Sequence, residues 1–253
     1  MLAPRRHELI LESLDREATV SIQALTEKLG VSRETVRKDI AELARMAKLE
    51  QVRGGATRVR TQEVPIADRT KLNAAGKARI ASALAARIPN HASLFLDNGS
   101  STRALAEALR GHHGLNVCTN DLDVARILAL AGANIVMLGG EVDVREMATV
   151  GLEASEQAER YNVDISVISA GGLTAQHLVT DFNRDCVGLR DRILRSGRTG
   201  YIIADHEKFG VVGQFGLPTP KAGTCLVMDR SPPADVIAAL KEKGLSHIVA
   251  NPE

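Results

Sequence analysis

The sequence predicts an α/β protein of two parts, on three observations. Residues 21–40 hold two short helices with apolar faces, separated by Gly30. From residue 93 onward, short apolar runs alternate with helical stretches, and most of those runs end in Gly, Ser, Thr, Asn or Asp. The chain has 253 residues, 44% of them hydrophobic, enough for a sizeable core beyond one small helical unit.

The first helix is expected over about residues 5–14, with Leu9, Ile10 and Leu14 as its packing face. The second spans 21–29, capped by Ser21, with Ile22, Leu25 and Leu29 inward. Gly30 follows where a helix ends in a left-handed residue. Ser32 then caps a third helix, with Glu34 in its first turn. Val36, Ile40 and Leu43 share one face, and Arg33, Thr35, Arg37 and Lys38 point elsewhere. Helix, Gly-containing turn and helix make a helix-turn-helix. Residues 48–56 alternate in character and end in Gly54-Gly55-Ala56, which predicts a small hairpin or wing. Residues 1–58 are therefore expected to form a winged helix-turn-helix.

A helix front of Arg, Lys and small hydroxyls suits a DNA major groove. Taken alone, residues 32–40 fit a solvated surface helix equally well; the helices before them and the wing after them favour the groove. Charge agrees. Residues 1–60 hold twelve Lys and Arg against nine Asp and Glu, the remainder twenty against twenty-two. The excess concentrates in residues 31–60, eight against four, where phosphate contacts would fall.

Composition narrows the function class. Aromatic residues are 2% of the chain and Trp is absent, which disfavours single-strand or RNA binding by base stacking. No apolar run reaches the roughly 20 residues that span a bilayer. The N-terminus, Met-Leu-Ala-Pro-Arg-Arg, lacks a hydrophobic signal core. Cys118, Cys186 and Cys225 are far apart and lack metal-ligand spacing, so buried free thiols and no metal site are expected. A cytoplasmic protein is the expectation.

Residues 59–75, with Pro65 and mixed charges, are expected to be a linker with some helix. From Lys77 a helix carries Ile80, Leu84 and Ile88 on one face until Pro89-Asn90 stops it. Strands are expected at 93–96, 116–118, 134–138, 163–169, 201–204, 225–228 and 247–250. This alternation predicts a Rossmann-like three-layer domain over 76–253, with a mostly parallel sheet. In such sheets ligands bind beyond the carboxyl ends of the strands. At the first of these ends stand Asp97, Asn98, Gly99, Ser100, Ser101 and Thr102. Hydroxyls and backbone N–H groups at a helix start suit a phosphate, but a capped strand–helix turn without ligand has the same sequence. The loop lacks Gly-Lys-Ser/Thr, so nucleotide hydrolysis is not indicated.

Arg6, Ile10 and Leu14 at four-residue steps, then Ser32, Thr35, Val36, Arg37, Lys38, Asp39 and Ile40, resemble the signature of the DeoR family of bacterial transcriptional regulators. The wing's Gly-Gly-Ala is also typical. The later series is similar to the DeoR-type sensor domain, whose fold resembles ribose-5-phosphate isomerase: residues 97–102, Thr119-Asn120, Gly139-Gly140, Gly151, Ala170-Gly171-Gly172 and residues 205–210.

The resemblance implies a regulator, a repressor, that binds double-stranded operator DNA as a homo-oligomer, dimer or tetramer. It implies release by a phosphorylated sugar from a carbohydrate-catabolism operon, without a cofactor. DNA contacts would come from Ser21, Ser32, Arg33, Thr35, Arg37, Lys38 and Arg53. Asp97, Gly99, Ser100, Ser101 and Thr102 would cradle the ligand. Thr119, Asn120, Gly140 and Gly172 would line the cleft, with Arg190, Asp205 and Lys208 adding charge; Lys208 reads equally as a surface lysine.

Two departures stand out. Gln51 and Arg53 occupy wing positions where the family often has Arg and His, and Cys186 and Arg190 stand where it commonly has Glu and Lys. Arg still pairs with an anion, in a fork geometry that Lys lacks, while the lost carboxylate removes an acceptor for sugar hydroxyls. A sugar-phosphate isomerase with a DNA-binding appendage is the alternative, and a small-nucleotide sensor a third reading. Against the isomerase, residues 169–174 carry no carboxylate, where such enzymes have an acidic loop.

Overall fold

The computed structural model describes residues 1–17, 19–46, 48–52, 54–57 and 63–250. Helix α1 (Ala3–Arg16) begins with Pro4, whose missing N–H is no loss in a first turn. Strand β1 (Thr19–Ser21) leads into α2 (Ile22–Leu29), where Ser21 Oγ accepts the Ala24 N–H at 3.1 Å. Gly30 closes α2 at φ 65°, the left-handed region that glycine enters without strain. Ser32 Oγ caps α3 (Arg33–Arg45) by accepting the Thr35 N–H at 3.1 Å. Strands β2 (Glu50–Val52) and β3 (Gly55–Thr57) form the expected antiparallel wing. The sequence did not announce β1, which pairs with the other edge of β3. Three residues are too few to show an alternating pattern.

Ile10, Leu14, Leu25, Leu29, Val36, Ile40 and Leu43 are buried in one cluster, so the three expected apolar faces meet. Arg6 and Asp39 stitch it at the rim: Nε and Nη2 of Arg6 donate to the two carboxylate oxygens at 2.7 and 2.9 Å. Burial opposes ionisation of Asp39, but Arg6 and His7 hold its carboxyl below the ordinary aspartate range. The stabilisation is complete above the unfolded value of about 4 and is lost as pH falls through the lower folded one. Asp39→Asn is expected to lower the melting temperature of this unit at neutral pH and to flatten its acid-side loss. Circular-dichroism melts between pH 7 and 3 check this, and equal acid sensitivity in both proteins would refute the clamp.

Residues 63–73 contain a one-turn helix, α4 (Ile66–Arg69), before α5 (Ala74–Ala85), which is capped by Asn73. There follow β4 (Ser93–Leu96), α6 (Ser100–Ala108), β5 (Asn116–Thr119), α7 (Leu122–Leu130) and β6 (Asn134–Met137). A hairpin of β7 (Glu141–Asp143) and β8 (Ala148–Val150) leads to α8 (Gly151–Ala158) and β9 (Val163–Ser169). Next come β10 (Gly172–Thr174), β11 (Leu178–Asp181), α9 (Arg184–Ser196), β12 (Gly197–Ala204) and β13 (Phe215–Gly216). The described chain ends with β14 (Cys225–Met228), α10 (Ala234–Glu242) and β15 (Ser246–Val249).

Seven parallel strands form the main sheet in the order β15-β14-β12-β9-β4-β5-β6. Ile80, Leu84, Leu105, Val124 and Leu128 cover one face from α5, α6 and α7. Ala154, Ala158, Leu189, Ile193, Val236 and Leu240 cover the other from α8, α9 and α10. The three layers match the expectation. The strand order reverses at β4 and β9, and the crevice beyond such a switch point is where open parallel sheets bind ligands. The hairpin β7–β8 and the small sheet β10-β11-β13 rise beyond those strand ends; neither was anticipated. Among the described residues, no helix is long and apolar enough to cross a membrane.

Candidate functional site

On α3 the apolar back and the polar front separate as the sequence indicated. Val36 and Ile40 are fully buried, while Ser32, Arg33, Arg37 and Lys38 are exposed and Thr35 is half-buried. Arg37 reaches Glu34 only loosely, at 4.0 Å between two exposed side chains, a contact of little energy that leaves the guanidinium available. Ser21 and Ser32 spend their oxygens as caps, and Ser32 Oγ also lies 2.9 Å from Thr35 Oγ1. They fix the helix starts, with the exposed hydroxyls at the same end as Arg33. Arg53 lies outside the described residues.

The second site stands at the switch point. Asp97 follows β4 and is fully buried; its Oδ2 receives Arg190 Nε at 2.6 Å and the Ser169 N–H, at the end of β9, at 3.3 Å. Arg190, on α9, also donates Nη1 to Asp181. A buried guanidinium between two carboxylates leaves one negative charge over. Burial accordingly pushes the Asp97 carboxyl up, against the pull of Arg190. Among the described residues, no group meets the geometry of a hydrogen bond to the buried Asp97 Oδ1 or Asn120 Oδ1. A buried acceptor without a donor costs about 1–3 kcal/mol, and these two stand in the loops after the adjacent strands β4 and β5.

The loop after β4 is held from both sides. Asn120 Nδ2 donates to Asn98 Oδ1 at 3.3 Å and to the Thr149 carbonyl at 3.1 Å. Gly99 adopts φ 144°, and a Cβ there would meet Ser169 Oγ at 2.5 Å, so glycine is required. No side chain caps α6, which leaves its N-terminal amides and positive dipole end for another partner. Thr102 Oγ1 is already donated to the Gly99 carbonyl at 2.7 Å; its hydroxyl shapes the loop. Ser100 opens on a cavity of about 310 Å³ shared with Lys77 and Arg103. Thr119 Oγ1 accepts the Asp121 N–H, an internal turn contact.

A second cavity, of about 330 Å³, is lined by Arg190, Asp181, Cys186, Glu63, Arg145 and Glu146 among others. Cys186 thus faces the place where the family resemblance put a carboxylate. Burial above all, then the charges of Asp97, Glu146 and Glu63, push its thiol well above the ordinary range, so it is a neutral, inert group. Asp205 accepts the Glu207 N–H at 3.0 Å and faces Lys77 Nζ at 3.9 Å. Lys208 is no free surface lysine: its side chain is 17% exposed and Nζ lies 3.1 Å from Glu63 Oε1.

Gly140 and Gly172, expected to line the cleft, line neither cavity. A Cβ on Gly140 would strike the Val150 carbonyl at 2.7 Å, and one on Gly172 the Val211 carbonyl at 2.1 Å. Both glycines serve close backbone packing. Gly171 is packed closely too: its added Cβ would stand 2.9 Å from both Asp181 Oδ2 and the Thr180 carbonyl.

Several site residues were missed. Asp121 caps α7 by accepting the Asp123 and Val124 N–H groups, while holding the Gly99 N–H and Arg103 Nε. Its position directly after Thr119-Asn120 was the available signal. Glu63, Arg69 and Glu146 sit over the strand ends as an ion-paired group. They come from a stretch taken as linker and from a hairpin not anticipated, so spacing gave no hint.

Comparison with known proteins agrees with this division. A model of the DeoR-like helix-turn-helix domain matches residues 6–62, and one of the DeoR C-terminal sensor domain matches residues 72–230. The glycerol-3-phosphate regulon repressor of Escherichia coli K12 is 28% identical over 244 residues, 96% of this chain and 97% of its own. The HTH-type transcriptional regulator IolR of Bacillus subtilis is 30% identical over 194 residues, 76% of this chain and 77% of its own. Among solved structures, ribose 5-phosphate isomerase A of Methanocaldococcus jannaschii overlays 52% of each chain with TM-score 0.39 at 12% identity.

Proposed function

We propose that this chain, which belongs to the DeoR family of transcriptional regulators, represses a carbohydrate-related operon and leaves its operator when a phosphorylated sugar fills the cleft at β4 and β9. Residues 1–58 are the DNA-binding unit, 76–253 the sensor and 59–75 the connection. Arg33, Thr35, Arg37 and Lys38 enter the major groove, with Ser21 and Ser32 at the helix starts and Arg53 toward the backbone or minor groove. A cytoplasmic homo-oligomer, dimer or tetramer, presents paired recognition helices to two half-sites. Filling the cleft favours an arrangement with poor half-site spacing, and the operator affinity falls by that differential binding.

The observation that carries the sensing half is the pair of partnerless buried acceptors, Asp97 Oδ1 and Asn120 Oδ1, beside an uncapped helix start. Acceptors suit sugar hydroxyls, and helix amides with Ser100 and Ser101 suit a phosphate. Among the relatives, one is named for a glycerol-3-phosphate regulon, which supports a small phosphorylated ligand. The cavity volumes, about 310 and 330 Å³, suit such a size.

A thermal-shift panel of triose, pentose and hexose phosphates tests this. At least one should raise the melting temperature while its unphosphorylated sugar does not, and Ser100→Ala with Ser101→Ala should reduce the shift. A flat panel, or shifts untouched by the double substitution, would reject the cradle. We also infer that the chain is not an enzyme: residues 169–174 offer no carboxylate, and Asp97 is tied to Arg190. Turnover of any panel member into its isomer, abolished by Asp97→Ala, would reverse that reading.

A further inference from the structure

The chain entering the sensor domain lies across the strand ends, and it does so through charge. Glu63, which follows the wing, has a side chain 12% exposed, with its Oε1 2.6 Å from Arg69 Nη1 and 3.1 Å from Lys208 Nζ. Arg69, on α4, has a side chain 7% exposed and also pairs with Glu146 of the β7–β8 hairpin. Glu146 in turn receives Asn98 Nδ2 at 3.1 Å, in the loop after β4. Two residues of the segment 63–69 thus tie together the loops after β4 and β12 and the hairpin.

Burial alone would keep the Glu63 carboxyl protonated, but Lys208, Arg69 and Arg190 pull it far down, to about 2. It lines the same 330 Å³ cavity as Arg190 and Arg145. An ionised carboxylate between Arg69 and Lys208 stands where an incoming anion would. The surroundings are rich in carboxylates: Asp97 and Asp181 together outweigh Arg190, and Glu146 pairs with Arg69. A phosphate dianion brought in beside Glu63 would meet an uncompensated like charge in a poorly screened place. With Glu63 gone, the same phosphate would find Lys208 released and Arg69 held by Glu146 alone.

We propose that Glu63 is an internal occupant of the effector's anion site: the phosphate takes Lys208 and Arg69 by displacing Glu63, and the freed segment 63–69 carries the signal toward the DNA-binding unit. This rests on the phosphosugar reading above. It adds Arg69 as a ligand contact and Glu63 as a competitor, and it explains how a cleft in one domain acts on the other. The element joining the two domains is itself part of the proposed site. By linkage, the factor by which the effector weakens operator binding is the factor by which the operator weakens effector binding.

The test titrates the full chain with inorganic phosphate and with the sugar-phosphate panel. Glu63→Gln, which removes the charge and keeps the shape, is expected to bind phosphate about tenfold tighter than wild type, and to bind operator more weakly without effector. Glu63→Asp should behave near wild type, and Lys208→Met should lose phosphate affinity. Amide hydrogen exchange on wild type needs no variant: exchange across 66–72 should rise when phosphate binds. If wild type binds a sugar phosphate but Glu63→Gln binds it equally or less well, or exchange in 66–72 stays level or falls, the displacement is wrong while the effector reading stands. If no protein binds phosphate or any panel member, both fall.

Discussion

Arg190→Met is expected to lower the unfolding free energy of the sensor domain by about 3–5 kcal/mol, the usual cost of breaking a buried ion pair from one side. The Arg190 side chain is 3% exposed and its guanidinium serves both Asp97 and Asp181. Removing it leaves two carboxylates in a place where burial already pushes Asp97 toward protonation. Asp97→Asn added to Arg190→Met should recover part of the loss, since one of the stranded charges disappears. Arg190→Lys should fall between, because an ammonium cannot fork to two carboxylates on opposite sides as a guanidinium does. Urea unfolding of the three variants measures this. A loss below about 1 kcal/mol for Arg190→Met would mean that the triad is solvated rather than closed.

The second large effect concerns DNA. Arg33→Ala and Arg37→Ala are each expected to cost about 1–3 kcal/mol of operator affinity, and together to weaken binding roughly a hundredfold or more. Both side chains are exposed and neither belongs to the cluster of Ile10, Val36 and Ile40, so the melting temperature should hold. Fluorescence anisotropy on a duplex selected in vitro by the wild-type protein reads the affinity. Substituting Lys38 instead should weaken binding to all sequences alike and lower the salt slope by about one. Affinity unchanged in the double variant would remove α3 from the groove.

The DNA-binding unit was legible because its signals are local. Ser21, Gly30 and Ser32 punctuate helices whose apolar periods stand in adjacent residues, and the structure uses each as expected. Arg6 and Asp39 read as matching letters of a family signature; their pairing across 33 residues became visible only in three dimensions. In the sensor domain the parallel strands were legible as apolar runs, since strands buried on both faces carry no polar alternation.

The cleft was half legible. Asp97, after β4, meets Arg190 of α9, and Asn120, after β5, reaches the neighbouring Asn98. Glycines misled, because a glycine admits a ligand and a close backbone by the same lack of a side chain. Gly172 meets Val211 where Gly171 meets Asp181. Glu63 and Arg69 were hidden for another reason. Mixed charge without periodicity marks a solvated linker in general, and only the fold shows these charges turned inward.

The account stands or falls on operator release. The wild-type protein on its selected duplex should be titrated with each sugar phosphate that shifts its melting temperature, and in parallel with the matching free sugar. At least one phosphate ester should weaken operator binding by about 5- to 150-fold, while its unphosphorylated sugar leaves it unchanged. Operator affinity indifferent to every ester, or lowered equally by the free sugar, would contradict a regulator controlled through an anion in this cleft.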